Sequence, residues 1–401
     1  MSAVDLASPR FKSNAHTFYA RLRQDAPVSS VTLPGGRSVW LITRYEDAAA
    51  ALKDPRLVKN PDNALMPGER SKQPWVPKFF RPLTRNMLDL DPPDHTRLRA
   101  LVQKTFTPRM VEALRPRIEA LTSQLLSDAG RRGRFDLIRD YAFPIPATVI
   151  AEMLGVPAED RRRFRRWSSA IVASEPSGLR MLRAIPHAAA FVRYIRRLVK
   201  LRRRLPREDL ISELVAVEEA GERLSEDELV AMIFLLLVAG HETTVNLIGN
   251  GTLALLSRPG ALDEIRRRPE LAVPAVEELL RYDGPLEMAT ERYAREDVAI
   301  GGVTIPRGSL THVVLASANR DERQFRDPDD LVLSRQPNRH LAFGSGIHFC
   351  LGAPLARLEG QIAIRALADR VPSLRLAVDS SKLRWKRGLV LRGLEALPVT
   401  L

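Results

Sequence analysis

Phe343-Gly344-Ser345-Gly346-Ile347-His348-Phe349-Cys350-Leu351-Gly352 is the stretch that decides how this chain is read. Cys350 is the single cysteine of 401 residues, so no intramolecular disulfide can form. A lone cysteine is ordinarily a small buried hydrophobe, but its neighbours argue otherwise. A strongly helical run starts at Ala353, so the thiol precedes a helix N-terminus, where the backbone dipole and N–H donors favour the thiolate. Gly346 and Gly352 allow the backbone to approach the sulfur and a bound group closely, and Phe343 is placed to shield the sulfur from water. A thiolate that ligates a metal needs this protection against protonation and oxidation.

Working outward, the composition sets bounds. Hydrophobic residues make up 45% of the chain, enough for a large core, and no linker, low-complexity tract or repeat divides it. A single domain over 1–401 is expected. The first ten residues hold no apolar core of signal-peptide length. The strongest apolar run, Leu229 to Gly240, is twelve residues; a membrane-spanning helix needs roughly 20. A cytoplasmic protein without a membrane anchor is therefore expected. Net charge is +14, much of it in Arg161–Arg166 and Arg193–Arg207. On amphipathic helices such runs are usually solvated faces. With no zinc-finger spacing and no Arg/aromatic RNA signature, nucleic acid is not the expected partner.

Hydrophobic periodicity predicts a mainly α chain with a smaller β portion. Helices are expected at 15–22, 45–52, 96–105, 109–129, 144–154, 158–173, 181–203, 207–219, 225–256, 260–267, 272–282 and 353–370. Strands are expected around Val39 to Thr43, at Val298–Ile300, Val303–Ile305 and Thr311 to Leu315, and again towards the C-terminus. Residues 57–88, rich in Pro, Asn and Lys, read as a long loop, and 323–349 as mostly irregular.

Three further motifs carry chemistry. Ala239-Gly240-His241-Glu242-Thr243-Thr244 lies inside the 225–256 helix, which is roughly 45 Å long at 1.5 Å per residue. Ser225 and Glu228 form a capping box at its start. Mid-helix Gly240 costs about 1 kcal/mol relative to Ala, so it needs a reason: a ligand's close approach, or a local bulge. Glu278-Leu279-Leu280-Arg281 pairs opposite charges at i, i+3. In Asp91-Pro92-Pro93-Asp94-His95-Thr96-Arg97-Leu98-Arg99, His95 and Arg99 share one helix face and can both reach one anionic group, the Arg fork being suited to carboxylates.

Together these segments resemble the cytochrome P450 family. The Cys350 stretch looks like its haem-binding loop: Phe, two residues, Gly, three residues, Cys, one residue, Gly. The likeness runs from about residue 15 to the C-terminus and is strongest from Met87. Val238 to Thr244 and His340 to Gly344 look like the bacterial soluble branch, whose members oxidise macrolides, other polyketides, terpenoids and fatty acids. The resemblance implies a single-domain triangular prism with haem b between the long distal helix and the Cys loop. It implies Cys350 as the iron ligand, with Phe343, Gly352 and Ala239 beside the haem. It implies an acid–alcohol pair, Glu242 and Thr243, that manages proton delivery. His95, Arg99, Arg292 and His348 match propionate-binding positions, with His340 a weaker member. Glu278, Arg281 and Arg335 match a buried structural ion pair. Val332 departs from the branch, which often has Asp there; this touches local loop bonding only.

The implied reaction inserts one oxygen atom of dioxygen into a C–H or C=C bond of a hydrophobic small molecule such as a macrolide, terpenoid, steroid or fatty acid. No Gly-x-Gly-x-x-Gly follows a strand, so a ferredoxin and its reductase are the expected electron donors. The basic excess suits an acidic partner, with Lys104, Arg109 and Arg357 as docking candidates. The chain is expected to be a monomer. Two alternatives stand beside this reading. One is a peroxide-driven peroxygenase of the same fold, against which Glu242 and Thr243 speak. The other is a non-catalytic haem-binding sensor, for which no signalling segment is read.

Overall fold

The computed structural model describes residues 4–66, 68–69, 76–84, 86–172, 179–219 and 224–401. The chain falls into two compact units. The first comprises Met1–Ser71, Arg115–Ile145 and Thr243–Leu401, and among the described residues it holds every strand. Its main sheet runs in the order Val28–Thr32, Ser38–Ile42, Leu310–Val313, Arg292–Ala294, Leu57–Val58. Val28–Thr32 and Ser38–Ile42 form an antiparallel hairpin, and Ser38–Ile42 then pairs in parallel with Leu310–Val313, Trp40 opposite Thr311. One face of this sheet packs Val28, Ile42, Leu57 and Val313 into a core that includes Leu341. The sheet thus anchors the N-terminal end of the Cys350 stretch. Val298–Ile300 and Val303–Ile305 pair as a two-residue hairpin. Gly301 and Gly302 both adopt positive φ there, as the turn that matches strand twist requires.

The helices of this unit converge on Ala353–Arg370, against which Arg115–Gly130 and Ala272–Asp283 pack. The Tyr141 hydroxyl donates to the Ala363 carbonyl at 2.8 Å. The single helix expected over 109–129 is two, Pro108–Ala113 and Arg115–Gly130. The break falls before Pro116, which has no N–H to continue the first helix but suits the first turn of the second.

The second unit, Lys72–Leu114 and Pro146–Glu242, is helical. Arg161–Val172 packs on Leu179–Arg204, and the Phe191 ring lies 5.6 Å from Phe164 and 5.7 Å from Phe234. Arg202, buried, pairs with Asp209 at 2.5 Å and donates to the Gly155 carbonyl. Gly155 has φ +69°, and a Cβ there would collide with the Asp209 carboxylate. The 57–88 loop contains short helical turns at Pro61–Ala64, Lys78–Phe80, Arg81–Thr84 and Met87–Asp89; residues 67, 70–75 and 85 lie outside the described residues, as do 173–178, which include the end of the helix expected over 158–173.

The long helix is Glu226–Ser257. Its capping box forms as expected: the Glu228 amide donates to Ser225 Oγ at 3.2 Å, and the Ser225 amide donates to Glu228 Oε2 at 2.8 Å. The helix is an uninterrupted α-helix through Gly240, which corrects the expected bulge. The His241 ring Nδ1 lies 2.8 Å from the Leu237 carbonyl. A Cβ at Gly240 would make only ordinary contact with Ile150, at 3.6 Å. By length and composition this helix could cross a membrane, but 61% of its most apolar window is buried inside the molecule, as in a core helix.

Candidate functional site

The Cys350 stretch is a chain of short-range bonds. The Leu341 amide donates to Asn319 Oδ1 at 2.7 Å, and the Gly344 amide to the Leu341 carbonyl at 2.8 Å. Gly344 and Gly346 both have φ +72°, a conformation that a side chain disfavours. At Gly346 a Cβ would also come within 2.9 Å of the Leu52 carbonyl. A single 3₁₀ turn, Gly346–His348, follows. The Cys350 amide then donates back to the Phe343 carbonyl at 2.9 Å, closing the loop, and the Ala353–Arg370 helix starts three residues later.

This geometry leaves the Cys350 thiol exposed at a helix N-terminus, where the thiolate is favoured. Ile347 and Phe349 flank it, 50% and 42% exposed. An exposed thiol on an apolar face, held by a loop bent at two glycines, fits a flat, apolar, iron-bearing group. A Cβ at Gly352 would lie 3.9 Å from Cys350 Sγ, an ordinary contact beside the sulfur.

Arg292 lies on the same side of the unit as this loop. Its guanidinium is buried and donates to the Leu52 and Leu57 carbonyls, each at 3.3 Å. The Leu52 carbonyl that Arg292 holds is the one Gly346 approaches, so the structure brings Arg292 and the His348 turn together. In the second unit, His95 is buried on the Asp94–Thr105 helix. Burial first, and then the Arg99 charge, push its pKa below the ordinary value, with Asp91 opposing. His95 and Arg99 are therefore neighbours, as their i, i+4 spacing implies. Cationic and donor groups of this kind suit the carboxylate arms of haem.

On the long helix, His241 is buried and its Nε2 stands 4.0 Å from Glu242 Oε2. Ala239, Gly240, Glu242 and Thr243 share this helical segment. Thr244 is buried and faces Glu359, a carboxyl inside the molecule on the Ala353–Arg370 helix. Burial pushes Glu359 up to about 8, although the Thr244 hydroxyl pulls the other way. The sequence reading missed Glu359; a Glu on the face shared with Leu355, Leu358 and Ile362 was the available signal.

His340 does not join the propionate candidates. Its Nε2 lies 3.2 Å from Glu277 Oε2, and its Nδ1 accepts the Ala342 amide at 3.2 Å. Arg357, expected as a docking cation, is committed to the same Glu277 through two bonds of 2.8 Å. The three-residue ion pair forms as expected: buried Glu278 takes Arg281 at 2.7 Å on each oxygen and Arg335 at 3.0 and 3.1 Å. At Val332 it is the backbone amide that bonds Glu278, at 2.9 Å, so no side-chain acceptor is needed there. The second unit also contains a cavity of about 320 Å³ whose lining includes Arg81, Met87, Leu90, Leu98, Glu228 and Ala231.

The sequence matches the family described as Cytochrome P450 over residues 8–369. It is 47% identical over 397 residues to Cytochrome P450 107B1 of Saccharopolyspora erythraea, covering 97% of this chain and 95% of that protein. It is 47% identical over 402 residues to the vitamin D(3) 25-hydroxylase of Pseudonocardia autotrophica, covering 99% and 96%. The crystal structure of the Bacillus subtilis polyketide synthase cytochrome P450 PksS matches with a TM-score of 0.91 at 43% identity, over 99% of each chain. The expected mainly α fold and its bacterial branch are both borne out. The chain belongs to the cytochrome P450 family: it is a monooxygenase whose cofactor is haem b.

Proposed function

We propose that this chain is a cytoplasmic, monomeric, single-domain P450 that hydroxylates or epoxidises a hydrophobic small molecule of the polyketide or macrolide, terpenoid, steroid or fatty-acid class, with a ferredoxin and its reductase as electron donors. The observation that carries the reading is Cys350, exposed at a helix N-terminus, its backbone N–H donating a hydrogen bond to the Phe343 carbonyl. We assign Cys350 as the iron ligand, Phe343 and Gly352 as its shield and clearance, and Ala239 as a contact on the distal side. We assign His95, Arg99, Arg292 and His348 to the propionates. When bound, haem would be held through its iron by the Cys350 thiolate and would supply the oxygen-activating chemistry.

The protein's part is to bind substrate and meter protons. Glu242 is the acid that exchanges protons with solvent, and Thr243 is the hydroxyl that holds a water and a proton beside dioxygen; general acid–base help of this kind is worth roughly 10²–10⁴-fold. The likeness to PksS supports a polyketide, and the likeness to the vitamin D(3) hydroxylase supports a secosteroid.

Titrating the haem-loaded protein with macrolides, steroids and fatty acids, while following the haem spin-state change, tests the substrate class. Product formation with NADH, ferredoxin and reductase, but not with hydrogen peroxide alone, is the expected result. Turnover with peroxide alone identifies a peroxygenase, and no turnover with either identifies a sensor.

A further inference from the structure

Arg357 lies in the second turn of the Ala353–Arg370 helix. Its guanidinium carbon stands 4.5 Å from the centroid of the Phe343 ring, within the range of a cation–π contact, and the Phe343 carbonyl accepts the Cys350 amide. Behind the guanidinium, Glu277 accepts from its Nε and Nη2 at 2.8 Å each. His340 closes the bracket: with its Nδ1 accepting the Ala342 amide, its Nε2 is left to donate to Glu277 at 3.2 Å. Burial alone would raise the Glu277 carboxyl, but the Arg357 and His340 bonds outweigh it and hold it at about 2. The bond to Glu277 raises the Arg357 pKa most, and the Cys350 charge adds to it.

Ion pairs on a surface are usually weak and loosely held. This one is bidentate, stacked on an aromatic ring and fixed by a third side chain, so its charge stays at one place. That place is beside the loop that carries the sulfur. We propose that Arg357 is a positioning residue for Cys350: with Glu277 and His340 as its bracket, it holds a fixed positive charge on the Phe343 side of the thiolate and so sets how easily the ligated iron is reduced. The proposal rests on Cys350 being the iron ligand. Reduction adds one electron to the site, and a neighbouring cation lowers the energy of the more negative state, more strongly in a low-dielectric surrounding than in water. Groups outside the ligand set tune a metal in this way. Glu277 acts with the opposite sign.

The test is the one-electron reduction potential of purified haem-loaded protein, with carbon-monoxide spectra taken in parallel. Arg357→Gln is expected to lower the potential, Arg357→Lys to keep it close to that of the unaltered protein, and Glu277→Gln to raise it. A bracket that only supports the fold gives lower haem content with an unmoved potential. Potentials that do not move, or that move the same way in Arg357→Gln and Glu277→Gln, overturn the proposal. If Arg357→Gln does not retain haem, the upward shift in Glu277→Gln decides alone. A thiolate band in the unaltered protein with unmoved potentials refutes this proposal and leaves Cys350 standing; no thiolate band in the unaltered protein refutes both.

Discussion

Arg335 spans the Glu278 carboxylate, its Nε 3.1 Å from one oxygen and 3.0 Å from the other. Arg281, itself buried, grips the same two oxygens. Taking away one partner of a buried pair leaves an uncompensated charge and costs about 3–5 kcal/mol. Glu278→Ala is therefore expected to give little folded, haem-loaded protein. Arg335→Ala, which keeps the Glu278–Arg281 pair, is expected to lose less. Urea midpoints of the two variants check the order; equal losses would mean that Arg335 carries as much of the cluster as Glu278 does.

Glu359 predicts a pH dependence. Burial raises its carboxyl from an ordinary 4.5 to about 8, so between those values the folded state binds a proton that the unfolded state has released. Stability then falls as pH rises through this window, by up to about 1.4 kcal/mol per pH unit. Glu359→Gln removes the effect. Its melting temperature is expected to exceed that of the unaltered protein at pH 8 and to match it near pH 4.5. A gain of the same size at both pH values would show that Glu359 is already ionised in the folded state.

The acid–alcohol pair predicts two different failures. Thr243→Ala is expected to keep haem and NADH consumption while diverting electrons to hydrogen peroxide. Glu242→Ala is expected to slow oxygen-dependent turnover and enlarge the solvent isotope effect. Peroxide released per NADH, measured with product, separates these from a structural role, which would cost haem or stability in both. Unchanged coupling in Thr243→Ala assigns proton delivery to another group.

Ferredoxin dependence predicts sensitivity to salt. Exposed charges are screened over about 8 Å at physiological ionic strength. If exposed Lys104 and Arg109 recruit an acidic ferredoxin, turnover falls as salt rises, and Lys104→Glu raises the apparent KM for ferredoxin. Affinity that ignores salt removes electrostatic docking from the account.

Local pattern carried a great deal of this protein. The capping box at Ser225 and Glu228, the Gly301–Gly302 hairpin and the glycine-bent loop before Cys350 each depend on residues close in sequence, and each forms. Val28–Thr32, which pairs in a local hairpin with Ser38–Ile42, was a local strand pattern left unread. The strand Arg292–Ala294 went unread because it gains its place from pairing with distant partners, Leu57–Val58 and Leu310–Val313. So did the buried network in which Lys12 and Tyr19 bond Glu287, at 3.0 and 2.6 Å, while Arg392 bonds Asp283. Residues hundreds of positions apart leave no spacing to read. The pairing of His340 and Arg357 with Glu277 went unread for a related reason: Glu277 precedes the conspicuous Glu278 and looks like a solvent-facing neighbour. The expected bulge at Gly240 is not formed in the continuous Glu226–Ser257 helix.

The central claim is that Cys350 is the iron ligand, and one spectrum tests it most directly. Reduced, haem-loaded protein exposed to carbon monoxide should show the absorption band diagnostic of thiolate ligation, and Cys350→Ala should lose that band. A band that survives the substitution contradicts the account.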